Sequence, residues 1–327
     1  MTRLPRLVRR AVVPGSLLLA LLASTTVPVA RQVAAPVGPA PSHAASAAAE
    51  GAALLGTIAA LTAPGMDGRG TATDGARKAQ AWIEARLSAL AVRPVAAAGF
   101  AQPFQFTNKA GAATTGTNLV ARCEGRRSDA PAIVVSAHYD HLGVRNGRTY
   151  HGADDNASGV AMLLHVAERC QAAPFEHPLL LAFFDAEEEG LQGARAFVRT
   201  PPVPVDRLAL NVNFDMVGRS ATREIHIAGP GRWPRLKPVL EAAVAQAPIT
   251  VRFGHDTGGG QHDWTTQSDH GVFHAAGIPF VYFGVEDHAD YHQPTDTADK
   301  IGPDFLAGVA TVVMRALEAL DRAPAFR

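Results

Sequence analysis

Cysteine is scarce: Cys123 and Cys170 are the two in 327 residues. Neither belongs to a CxxC, which excludes a thiolate metal site and a thioredoxin-like motif. Spacing alone leaves a disulfide and two buried free thiols as equal alternatives. No run of lysine or arginine occurs, and Lys+Arg and Asp+Glu number 30 each. Nothing therefore steers the chain toward a phosphate backbone, and nucleic-acid binding is excluded as an expectation. HExxH is absent, which removes the single-zinc protease helix, and GxSxG is absent, which removes the serine-hydrolase elbow. No internal repeat is visible. Hydrophobic residues make up 47% and charged residues 18%, a balance that builds a core rather than a disordered chain. The length allows one large or two modest domains.

Charge is unevenly placed. Arg3, Arg6, Arg9 and Arg10 precede an apolar stretch at 11–24 and small residues up to Ala30, with no acid among them. A basic start, a short apolar segment and a small-residue end predict a signal peptide over 1–30 and an exported, periplasmic or secreted protein. The alternative is a membrane anchor, because 11–30 just reaches the ~20 residues of a span; Pro14, Gly15 and Ser24-Thr25-Thr26 weaken it. No cysteine follows the apolar segment, which excludes lipid attachment there. Cleavage after Arg31 would leave 25 Lys+Arg against 30 Asp+Glu, a net charge of −5. Residues 31–53, rich in Ala and Pro, are expected to be a linker, with the folded domain over 54–327.

From Leu54 the texture is α/β. Over 76–92, Ala79, Trp82, Ile83, Leu87 and Leu90 share one helical face after a Thr73-Asp74 start signal. Short extended stretches are expected at 103–107 and 117–123, with helices at 158–170 and 189–199. Four continuous apolar runs, 132–137, 178–184, 208–214 and 279–284, fit strands buried on both faces of a mainly parallel sheet. His138 and Asp140 follow the first run. Asp185, Glu187, Glu188 and Glu189 follow the second, Asp215 follows the third, and His292 lies beyond the fourth. Ligands in open α/β sheets bind outside the carboxyl ends of the strands. Parallel neighbours would thus bring distant imidazoles and carboxylates to one rim.

Each element alone has a bland reading. AHYDHLG (137–143) could be a loop with bonded histidines, GADDNASG (152–159) a helix cap, AEEEGLQG (186–193) a solvated first turn, NFDMVG (213–218) a capped strand end and YHQPTDT (291–297) a turn. Together and in this order they resemble peptidase family 28, the co-catalytic zinc exopeptidases with the bacterial aminopeptidases among them. The resemblance covers roughly 54–320, and GRGTATDGARKAQAWIEARL (68–87) resembles the family's N-terminal helix. It implies an α/β/α sandwich with a mostly parallel central sheet and two zinc ions. It also implies that His138, Asp154, Glu188, Asp215 and His292 are the metal ligands, with Asp154 bridging. Glu187 would be the general base, and Asp140 would hold the second nitrogen of His138.

The chemistry requires such an inventory. Zinc accepts imidazole nitrogen and carboxylate oxygen, and two ions sharing a carboxylate sit at ~3.5–4 Å. Cobalt and manganese accept the same donors. Adjacent Glu187 and Glu188 diverge, so one can ligate while the other takes a proton from water and returns it to a leaving amine. Tyr291 is a candidate donor to a developing oxyanion or a packed corner residue. Trp264 and Ser268-Asp269-His270, in a Gly-rich stretch, line the substrate pocket or form a plain loop. Glu286 and Asp287 hint at an ammonium-binding rim. Glu189, His141, His151 and His288 are expected outside the ligand shell. The substrate would be a peptide. Two other readings stay open: a single-zinc aminoacyltransferase like glutaminyl cyclase, and a non-catalytic binding ectodomain of the same fold.

Overall fold

In the computed structural model, residues 43–259, 262–324 and 326 are described. The expected signal peptide at 1–30 and the expected linker up to residue 42 lie outside them. The rest of that linker departs from expectation. Helix α1 spans His43–Leu61, because alanine is the strongest helix former and because Leu54, Ile58 and Leu61, spaced four and three apart, are buried. Helix α2 (Asp74–Ala89) starts where Thr73 accepts a hydrogen bond from the Ala76 amide. It ends before 92 because Ala91 turns left-handed (φ 55°) and the Val92 amide donates to Leu87 O, a Schellman stop.

The strands follow as β1 (Arg93–Pro94), β2 (Ala101–Thr107), β3 (Ala113–Cys123), β4 (Ala132–His138), and the short ribbon β5 (Val144–Arg145) with β6 (Arg148–Thr149). Then come α3 (Gly159–Ala172), β7 (Leu179–Phe184), α4 (Gln192–Arg199), β8 (Leu208–Phe214), β9 (Glu224–Ala228), α5 (Leu236–Val244) and β10 (Thr250–Phe253). Helix α6 (His270–Ala275), β11 (Phe280–Gly284) and α7 (Pro303–Asp321) complete the order. The main sheet runs β1-β3-β7-β4-β8-β11-β9-β10, with β2 on β3.

The four apolar runs are β4, β7, β8 and β11. They are adjacent and mutually parallel, while β3 and β9 flank them antiparallel. Alternate residues face opposite layers. Ile133, Val135, Leu179 and Leu181 pack with Ile83, Val160 and Val313 of α2, α3 and α7. Val134, Leu180 and Phe184 pack with Ala194, Phe197 and Phe273 of α4 and α6. Helices thus cover both faces, and the chain is the expected α/β protein with a parallel centre.

Cys123, at the end of β3, is bonded to Cys170 of α3, which decides between the two alternatives for the thiols. Because β3 runs antiparallel to β7 and Cys123 pairs with Leu179, the bridge lies at the rim opposite the carboxyl ends of the parallel strands. Among the described residues no helix is long and apolar enough to cross a membrane.

Candidate metal centre

The parallel strands deliver their C-terminal residues to one rim. His138 ends β4, Asp215 directly follows β8 with its amide donating to Phe283 O, and His292 lies in the loop after β11. His138 Nδ1 is 3.1 Å from the Asp140 carbonyl, which can only accept, so Nδ1 carries the proton. Its Nε2 then faces Asp215 Oδ1 at 3.3 Å and Asp155 Oδ1 at 3.4 Å. A lone pair between two carboxylates requires a cation or a second proton. Burial opposes charge on His138, yet Asp215 and Glu187 raise its pKa well above the ordinary value.

The second half of the cluster repeats this logic. His292 Nε2 is 3.1 Å from Asp155 Oδ2 and 3.4 Å from Glu188 Oε2. Asp155 therefore turns one oxygen to each histidine. Burial works against its charge, but His141, His138 and His292 hold it well below the usual range. Burial and Asp155 push Glu188 up, while His141 and His292 draw it down to about 2.

The structure corrects the expectation for Asp154. Its carboxylate points away from the cluster, accepting from the Gly218 amide at 2.6 Å and meeting His288 Nε2 at 3.0 Å. Asp155 lies between His138 and His292 instead. The local backbone explains the swap. Gly152 is left-handed (φ 58°), and a Cβ there would sit 2.1 Å from Asp155 O. Asp296 accepts both the Asp154 and Asp155 amides. Asn156 bonds Phe214 O and the Gly159 amide, tying the turn to β8. Neighbouring carboxylates in such a turn diverge, and sequence alone did not say which one faced inward.

Asp140 also differs in detail. Its backbone carbonyl is the nearer partner of His138, and its carboxylate oxygen is 3.6 Å from Nδ1. The carboxylate mainly accepts the consecutive amides of Glu187 (3.1 Å) and Glu188 (3.3 Å). Asp185 stays outside the cluster. It accepts from the Ala186 and Thr117 amides and Thr71 Oγ1, and burial followed by Asp140 pushes it up to about 7. Ala186 is left-handed (φ 57°), and the chain reverses there so that Glu187 and Glu188 face different partners. One Glu187 oxygen groups with His138 and Asp215, and one Glu188 oxygen groups with His141 and Asp155, each set within 4.8 Å. Burial raises Glu187 and Asp215, opposed by His138.

His141, expected outside the ligand shell, lies against the cluster: its Nδ1 is 2.8 Å from Glu188 Oε1. Neither its nitrogens nor that oxygen makes a hydrogen bond, although all are buried. The signal that could have found it was the second histidine of His138-x-x-His141. His288 binds Asp154, His151 faces Thr62 O and Glu189 accepts the Lys109 amide, so these three lie apart from the cluster. Tyr291 stacks on His292 with ring centres 3.9 Å apart. A pocket over the cluster is lined by Tyr291, Trp264, Gln267, Tyr282 and Asp287. Ser268 and His270 lie behind that wall, bonding Asn213 and Trp264 O. Asp269 is buried without a hydrogen-bond partner, and burial raises it to about 8.

Arg69 supports the rim from below. Its fully buried guanidinium donates to the carbonyls of Tyr139, Leu61, His151 and Gly152 at 2.7–2.9 Å. A chain of side-chain bonds from Asn211 through Ser136 and Asn213 to Ser268 lies beneath His138 and Asp215.

Fold and cluster define an α/β protein with a candidate metal centre at the carboxyl rim of its parallel strands. The chain belongs to peptidase family M28, which its residues 118–317 match. Aminopeptidase YwaD of Bacillus subtilis is 29% identical over 224 residues, 65% of this chain and 45% of the relative. The chain thus spans under half of that relative's length. Among solved structures, a zinc aminopeptidase from Bacillus subtilis matches with TM-score 0.69 at 18% identity, covering 84% of this chain and 97% of the other. Porphyromonas gingivalis glutaminyl cyclase matches with TM-score 0.66 at 19% identity, covering 82% and 97%. These two likenesses concern the fold.

Proposed function

We propose that the chain is a two-zinc exopeptidase that removes N-terminal residues from peptides. The observation that carries this reading is Asp155, which turns one oxygen toward His138 and the other toward His292. His138 and Asp215 would hold one ion, Glu188 and His292 the second, and Asp155 both. The donor set fits zinc, and the unbonded Glu188 Oε1 and the lone pair on His138 suit a cation. Bound ions would supply Lewis acidity and a more acidic water.

Glu187 would act as the general base. Asp140 fixes its amide, and burial leaves its carboxylate basic enough to take a proton from the attacking water. The same carboxyl would then pass that proton to the leaving amine. Asp287 on the pocket wall would receive the substrate ammonium, and Tyr291 would donate to the oxygen that gains charge. The Cys123–Cys170 bridge supports export to an oxidising compartment after removal of residues 1–30.

The test is Glu187→Gln. Turnover of an aminoacyl chromogenic substrate should fall ~10²–10⁴-fold, with tightly bound zinc equal to wild type. Retained turnover sinks the mechanism. Cleavage of N-blocked peptides from the carboxyl end would overturn the aminopeptidase assignment. A glutaminyl-cyclase reaction, favoured by the likeness to that fold, would instead show one tight zinc equivalent and cyclisation of N-terminal glutamine.

A further inference from the structure

A second group of ligating side chains lies outside the catalytic cluster. His226 on β9, His255 after β10 and Glu286 after β11 place three donor atoms within 4.8 Å of one another. They come from three neighbouring strands at one end of the sheet. His255 Nε2 is 3.0 Å from Glu286 Oε1, and the rings of His226 and His255 meet edge-on with centres 4.8 Å apart. Two donors on one zinc, each at ~2.0–2.1 Å and a tetrahedral angle, lie about 3.3 Å apart.

The tautomer of His255 sharpens the case. Its Nδ1 lies 3.1 Å from the His262 carbonyl, so Nδ1 carries a proton and Nε2, 3.0 Å from Glu286 Oε1, is the nitrogen left for a metal ion or a second proton. A metal-bound histidine takes this arrangement, with the far nitrogen donating to a carbonyl. The nearby cation Arg252 is engaged by Glu224 at 2.7 Å. The His255 ring lies flat on Trp264, with centres 3.8 Å apart and planes 4° apart, and His226 meets Trp264 edge-on at 5.4 Å. Trp264 itself lines the pocket over the catalytic cluster.

We propose that His226, His255 and Glu286 bind a further divalent ion of the zinc class, with water completing its shell. The ion would hold two imidazoles against the back of Trp264 and stiffen one wall of the substrate pocket. The competing state is a protonated His255 paired with Glu286, which binds no metal.

The full chain is dialysed against micromolar free Zn²⁺ and its zinc counted by elemental analysis, beside His226→Gln and Glu286→Gln. Each variant should hold about one equivalent less than wild type. Ni²⁺ should quench indole emission in wild type, and that quenching should disappear in Trp264→Phe and shrink in His226→Gln. Far-UV circular dichroism confirms that the variants are folded. Repeating the count in an Asp155→Ala background separates the two sites: the one-equivalent difference should persist whatever becomes of the catalytic pair. Equal zinc in wild type and both variants would overturn the proposal.

Discussion

Replacing Arg69 with Met tests the claim that a buried cation holds the turn carrying Asp155 in place. The guanidinium makes four hydrogen bonds to backbone carbonyls, two of them to His151 and Gly152, just before the turn that carries Asp155. Burial lowers its pKa to about 10 against the opposing pull of Asp155, Asp296, Asp140 and Glu188. It is therefore charged at neutral pH and offsets four acids. Methionine keeps the apolar stem but strands four acceptors and removes that counter-charge. Hydrogen bonds to charged groups contribute ~1.5–3 kcal/mol each, and the recovered desolvation of the cation reduces the sum. Breaking a buried charged network costs about 3–5 kcal/mol, and we expect a loss in that range. Arg69→Lys should lose about half as much, because one ammonium cannot fork to four carbonyls. Guanidinium unfolding gives the stability, and zinc titration of folded protein gives the affinity, which should weaken as the turn loosens. A loss under about 1 kcal/mol, well below what even one such bond carries, with zinc affinity intact, would refute the reasoning.

The two acids of the turn should separate cleanly. Asp155→Asn should lower tight zinc and cut turnover more than 100-fold, whereas Asp154→Asn should keep both and cost about 1 kcal/mol through its Gly218 contact; the reverse ranking in metal analysis would reinstate Asp154 as the ligand. The double change of Cys123 and Cys170 to Ser opens a loop of 47 residues' separation, which chain entropy values at about 4 kcal/mol. The midpoint of unfolding should drop while kcat of the folded protein holds, and a drop worth under 1 kcal/mol would count against the bridge. His270 is buried, and desolvation lowers its pKa to about 3. Between pH 6.5 and 3 the unfolded chain binds a proton there that the native state does not, so this group makes stability fall as pH falls. From pH 7 to pH 5 the loss is about 2 kcal/mol, and His270→Gln should fall less steeply by that amount in denaturant titrations.

The sheet was readable because its four central strands are dominated by apolar residues on both faces, interrupted by Ser136, Asn211 and Asn213, a pattern that burial on both faces imposes. The site was readable because chemistry-bearing residues sit at the ends of those runs. What escaped has physical causes. Helix α1 begins as an alanine run, which has high helix propensity but no apolar stripe to betray it. Strands β9 and β10 are short and half-buried toward the edge, so their composition resembles loop. Asp154 and Asp155 are chemically identical neighbours, and a left-handed Gly152 with two amides held by Asp296 decides which one turns inward. The nearness of His141 to Glu188 escaped for a related reason: the His138-x-x-His141 spacing offers the imidazole, but the turn after β4 decides where it points.

Asp140 accepts the amides of two successive residues, one proposed to move a proton and the other to hold an ion. The two roles therefore share a single anchor. A change that tilts this carboxylate shifts both side chains together, so their effects on catalysis and on metal retention should be coupled rather than additive. Refinement of the base alone, by mutation or by selection, has little room here, because any adjustment of Glu187 through its backbone also reaches Glu188.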